Sequence, residues 1–305
     1  MTAHASLRAL TLSAFCTIAA PALAQEAVDL AALRQQALEL ANASRAEAGL
    51  PALEAGPILD EAAQGHADDM LERGYYDHVT PEGETPADRF RAAGGSEWAL
   101  SGENIARCTG CEAPPDGARV EAFHAGWMQS TGHRENILEP GFDRFGFGIA
   151  GSGDRTYAVQ TFAGPGEDAG GPALDDAGVR AAALGEVNQR RADGALPALQ
   201  SSEALDAVAA RVLDARQSGE ELPAGLFELL PEGATGWTGI AVRSASRGGS
   251  GRALSREDVG AFVEDWASSG ESDPLGGERM GHLGFAAATQ DDGRATAVAV
   301  FGRRE

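Results

Sequence analysis

Lysine is absent from this 305-residue chain: all 24 basic residues are arginines, set against 46 aspartates and glutamates. With alanine and glycine abundant, the missing lysine reads as base composition of the gene rather than a functional device. The shortage of positive charge has consequences. A formal charge of −22 repels phosphate backbones and anionic membrane surfaces, so nucleic acid is not an expected partner, and it draws cations towards any carboxylate-lined cleft. Long apolar runs are missing after the first 24 residues; nothing there approaches the roughly 20 residues that span a bilayer, so an integral membrane protein is not expected. Cysteine is scarce at three residues. No pair of Cys-x-x-Cys units exists to build a closed zinc site.

The apolar run that does exist stands at the start. Arg8 is the one formally charged side chain before Leu10–Ala20, and Ala22-Leu23-Ala24 follows as a small-x-small cleavage site, so residues 1–24 read as a signal peptide. Cys16 follows Phe15 inside that run, which does not suit a lipid-anchored cysteine. Export to the periplasm or the exterior is the expectation. Cys108 and Cys111 remain, as Cys-Thr-Gly-Cys. In an oxidising compartment this spacing favours a local disulfide over a redox pair or half a metal site, since no strand runs into a helix here. A loop this short gains only about 2 kcal/mol from closure, enough to pin a loop.

The length calls for two domains. Apolar residues at helical spacing (Leu30, Leu33, Ala37, Leu40, Ala41) predict a first helix ending at Gly49-Leu50-Pro51. A second is predicted from Pro57 to Arg73, with Ile58, Ala62, His66 and Met70 on one stripe and Gly74 as its stop. A third follows Asp116 as N-cap, carries Val120, Phe123, Trp127 and Met128 inward, and runs to Gly132. Between the second and third lies a loop-rich middle. Phe145–Ile149 and Tyr157–Phe162 read as a hairpin around Gly151–Asp154. Residues 166–178, rich in Gly, Pro and acid, read as a linker between domains at 26–165 and 179–305.

The second domain repeats the first. Asn42, Arg45, Leu50-Pro51, Leu53 and Leu59-Asp60 recur as Asn188, Arg191, Leu196-Pro197, Leu199 and Leu205-Asp206. Further on, Trp127, Ser130, Arg144, Gly146, Val159 and Phe162 are paired with Trp266, Ser269, Arg279, Gly281, Val298 and Phe301. Polar positions did not survive: His66 aligns with Val212, His133 with Ser272, and nothing matches His78 or Glu103. The second domain is expected to pack without the first domain's chemistry.

Four histidines, His66, His78, His124 and His133, crowd into the first domain, and His78, Glu103 and His133 stand near element ends, where binding groups are commonly presented. The order of Asn42 and Arg45 before Leu50-Pro51-Ala52-Leu53, then His66-Ala67-Asp68-Asp69-Met70, His78, Gly102-Glu103-Asn104-Ile105-Ala106, Trp127-Met128-Gln129-Ser130, Gly132-His133-Arg134-Glu135-Asn136-Ile137-Leu138 and Tyr157–Phe162 resembles the bacterial branch of the CAP superfamily, the cysteine-rich secretory and pathogenesis-related proteins. The resemblance covers residues 30 to 164. It implies an α+β fold of two tandem three-layer α-β-α sandwiches, the second degenerate, and a cleft of two His and two Glu that binds a divalent metal such as zinc. His78, Glu103 and His133 match three of those four positions. The fourth, an acid three residues after the helix tryptophan, is Ser130 here, leaving a His, Glu, His set that water would complete around an ion. The same three groups could equally form a hydrogen-bonded network with no ion.

His66, on an apolar stripe, is read as a core histidine neighbouring the cleft; His124 is read as packing or surface, and Trp127 and Trp266 as core anchors. Ser130 has no nucleophile elbow and no partner Asp, which argues against Ser-His hydrolysis. Three functions remain in view. The first is a binding module holding a small-molecule, lipid or glycan ligand, as the resemblance implies. The second is a metal-dependent hydrolase of envelope peptides or glycans with Glu103 as base, and the third a structural envelope protein. The shortage of ionisable groups favours binding.

Overall fold

The structure is a computed structural model that describes residues 29–168, 171–270, 273 and 275–305. The expected leader at 1–24, Cys16 and the pairing of His133 with Ser272 lie outside the described residues.

The first domain runs α1 (Leu30–Glu47), β1 (Glu54–Ala55), α2 (Pro57–Arg73), α3 (Pro86–Ala92), β2 (Leu100–Thr109), α4 (Gly117–Gln129), α5 (Thr131–Ile137), β3 (Arg144–Ser152) and β4 (Arg155–Gly164). Its sheet has the order β1-β3-β4-β2, antiparallel except where β1 joins β3. Strand alternation divides the core. Phe145, Phe147 and Ile149 point towards α1 and α4, where they pack with Ala37, Ala41, Phe123 and Trp127. The alternate positions Gly146 and Gly148 face α2 and leave no room for a side chain, since a Cβ on either would lie 2.2 to 2.3 Å from α2 backbone. Sheet and helix therefore meet backbone to backbone, with Ala63, Ala67, Met70, Tyr157 and Val159 filling the remainder. The result is the expected α+β, three-layer arrangement.

The second domain follows as α6 (Asp176–Asp193), β5 (Gln200–Ser201), α7 (Glu203–Ser218), β6 (Trp237–Arg247), α8 (Arg256–Ala267), β7 (His282–Thr289) and β8 (Ala295–Arg304). Its sheet order, β5-β7-β8-β6, repeats the first. The repeat extends to individual bonds. The buried Arg45 guanidinium donates to the carbonyls of Pro51, Ile137, Glu139 and Phe142. Arg191, equally buried, donates to those of Pro197, Leu275, Gly277 and Met280. Asn42 clasps the backbone of Leu53 as Asn188 clasps that of Leu199.

Three expectations need correction. Gly281 does not take the place of Gly146: Gly284 does, its Cβ direction blocked by Leu205 and Asp206 as that of Gly146 is by Leu59 and Asp60. His282, not Arg279, accordingly holds the strand position of Arg144, pairing with Gln200 as Arg144 pairs with Glu54. The helix after Asp116 ends at Gln129; Ser130 adopts an extended conformation (φ −93°, ψ 125°) and a new helix starts beyond it. Ile58 is 40% exposed, so the buried stripe of α2 begins at Leu59.

Candidate functional site

Five segments deliver the site. His66 comes from α2, His78 from the loop after it, Arg89 from α3, Glu103 from β2 and His133 from the first turn of α5. Glu103 is the centre, with 2% of its side chain accessible. Its Oε1 lies 2.8 Å from His78 Nδ1, and its Oε2 accepts from Arg89 Nη2 at 2.7 Å. The same Arg89 nitrogen donates to the carbonyl of His78, and Nη1 to that of Glu84, so one guanidinium fixes both the carboxylate and the loop that carries its imidazole partner.

The β2 backbone behind Glu103 is braced. Asn136 Nδ2 donates to the Glu103 carbonyl and to Asn104 Oδ1, while Asn104 Nδ2 reaches the His133 carbonyl and Gln160. Trp127 Nε1 donates to Ile105 O, which makes this tryptophan the core anchor expected of it.

Protonation separates the imidazoles. The hydrogen bond to Glu103 raises the His78 pKa above its ordinary value despite partial burial. Burial, with the nearby His78 charge, lowers that of His133. His66 is also lowered, burial outweighing its carboxylate neighbour. Its Nε2 lies 3.9 Å from Glu103, beyond hydrogen-bond reach, and instead donates to the Asp77 carbonyl at 2.9 Å. His66 is a buried core histidine that supports the His78 loop. A half-buried His78 and His133 stand at the surface of the site, with Ser130 half-exposed beside α5.

The donor set does not fit a resident divalent metal. One oxygen of Glu103 is held by a guanidinium, which would repel a cation, and the other by His78 Nδ1. Ser130 supplies no charge in place of the missing acid. Among the described residues no three His, Cys, Asp or Glu side chains converge as a metal-binding group. His78 and Glu103 are thus joined by a hydrogen bond, and His133 is tied to them through its backbone carbonyl, which accepts from Asn104.

Cys108 and Cys111 are joined in a disulfide with Cα atoms 5.9 Å apart. His124 is buried, with Nε2 3.0 Å from Ser44 Oγ. Arg89 is the site residue that sequence reading missed. Its signal was Thr85-Pro86-Ala87-Asp88, a capping box in which Thr85 Oγ1 accepts from the Asp88 N–H and Asp88 Oδ2 from the Thr85 N–H. In the second domain Val212 holds the place of His66 and, by strand register, Val242 that of Glu103, so an apolar cluster replaces the network.

These features match a known family. Residues 38–162 fit the model of the cysteine-rich secretory protein family, CAP. The first domain is thus similar to that family over these residues. Over 124 residues, 41% of this chain, it is 35% identical to the uncharacterized protein YkwD of Bacillus subtilis and covers 45% of it. It is also 35% identical over 128 residues to the uncharacterized membrane protein YlbC of the same organism, 42% of this chain and 33% of that protein. The chain thus spans less than half the length of these curated relatives. Among solved structures, an extracellular SCP-domain protein from Bacillus anthracis is 31% identical, with a TM-score of 0.36, covering 44% of this chain and 41% of that one.

Proposed function

We propose that this is an exported binding protein whose first-domain site holds a small or extended ligand, lipid or glycan in class, against His78, His133 and Ser130. Glu103, Arg89 and His66 position those groups. One observation carries the reading: both oxygens of the buried Glu103 are engaged, by His78 and Arg89, so that the carboxylate holds its imidazole partner and the loop that carries it. Two imidazoles shifted in opposite directions, His78 upward by its bond to Glu103 and His133 downward by burial, face the ligand with different proton affinities. Export is supported by the leader-like start of the sequence and by the extracellular B. anthracis relative. No described helix is long and apolar enough to cross a membrane.

The test is histidine-ring NMR of the protein with muropeptides and with a fatty acid. Ring signals of His78 and His133 should move with one of them, His133→Ala should abolish the response, and the added compound should be recovered intact. Turnover that disappears in Glu103→Gln would overturn binding in favour of hydrolysis.

A further inference from the structure

The two domains meet along a seam of backbone contacts. Gly249 N donates to Trp98 O at 3.0 Å and Gly251 N to Pro165 O at 2.9 Å, while Ser96 Oγ donates to Asp292 at 2.6 Å. Arg252 forms an ion pair with Asp143 across the seam, and the Arg294 guanidinium lies 5.7 Å from the Trp98 ring centre. Close approach requires glycine: a Cβ on Gly248 would fall 2.5 Å from Trp98 O, and one on Gly293 2.0 Å from Pro165 O. Residues 248–252 and 290–294 are thus shaped to fit the first domain.

A cavity of about 600 Å³ opens on this seam, within the range of small-molecule sites, which favour domain interfaces. Pro57, Ile58, Phe90, Ala99 and Pro165 of the first domain give it an apolar wall. Ile58 is one of the few large hydrophobic side chains exposed among the described residues. The second domain closes it with Arg252, Asp291 and Asp292. The charges at the rim are unequal in availability. Arg144 is paired with Glu54 and Arg252 with Asp143, while Asp292 accepts from Ser96 and from the Arg294 N–H. Asp291 has no such partner among the described residues and is exposed. The unsatisfied charge is negative, on a chain whose overall field is negative too.

We propose that this interdomain cavity is a second binding site, which takes a small molecule with an apolar body and a cationic amine: the body against Ile58 and Phe90, the ammonium at Asp291. The second domain then supplies the charged wall of a site that neither domain makes alone.

Isothermal titration of the full chain with 4-phenylbutylamine and 4-phenylbutyrate, equal in apolar body and opposite in charge, tests this. The amine should bind about two- to fivefold more tightly than the acid, as one exposed ion pair allows. Asp291→Lys, at an exposed position, should reverse that preference, and Ile58→Trp, filling the cavity from an exposed position, should abolish binding of the amine with the far-UV circular dichroism unchanged. Failure of the amine to bind, equal binding of the two compounds, or an amine affinity unaffected by both substitutions would overturn the proposal.

Discussion

Arg89 Nη2 and Glu103 Oε2 lie 2.7 Å apart, with 8% and 2% of their side chains accessible. A buried pair of this kind is strongly asymmetric in its consequences. Removing one partner strands the other's charge, whereas replacing both with apolar groups of similar size can be nearly neutral. Arg89→Met should therefore lower unfolding free energy by about 3 to 5 kcal/mol in urea titrations, and adding Glu103→Leu should restore a large part of the loss. Equal destabilisation by the single and double variants would deny the pair its role.

Four lowered or raised histidines set a pH profile. For His66, His124 and His133 the folded pKa lies below the ordinary value of about 6.5, so the unfolded chain takes up protons first and stability is lost as pH falls below that point. His78 acts oppositely: raised by Glu103, its contribution is complete below about 6.5 and is lost as pH rises through the folded value. Melting temperature measured from pH 5 to 8 should fall on the acid side, and His66→Val, the residue the second domain uses, should flatten that fall.

Zinc should leave the protein unmoved. Added to chelator-stripped protein, it is expected to give no rise in melting temperature and no stoichiometric metal by elemental analysis, because Arg89 already holds Glu103. A rise that His133→Ala removes would restore the metal site implied by the family resemblance.

Arg45 and Arg191 each satisfy four carbonyl groups, with no carboxylate bound to the guanidinium among the described residues. Substituting either with Met would orphan several buried acceptors at about 1 to 3 kcal/mol each. Denaturation of Arg45→Met and Arg191→Met should show losses of at least about 3 kcal/mol in both, tying the second domain's stability to the same device as the first.

Periodicity found α1, α2 and the hairpin, and repeat spacing found the paired arginines, because helices and core contacts leave marks at fixed intervals. The site was legible in part as residue types in order: His78 and Glu103 meet in a hydrogen bond, and His133 joins through its backbone carbonyl on Asn104. Its electrostatics was not, because Arg89 sits on a helix of seven residues, too short for apolar periodicity, and only a capping box marks it. The break at Ser130 was also hidden, since nothing in Gln129-Ser130-Thr131 forbids a continuous helix; beyond it α5 is held to β2 by Asn136, which donates to the Glu103 carbonyl and to Asn104. In the hairpin region, matching by residue identity misplaced Gly281 by three positions from Gly284, where close contact with α7 decides the alignment.

Ring-nitrogen NMR titration of His78 and His133, in the native protein and in Glu103→Gln, reads the coupling at the heart of this site. His78 should titrate above about 6.5 and drop in the variant, with His133 below that value throughout. An identical His78 midpoint in both proteins would contradict a carboxylate that serves to orient and charge its imidazole.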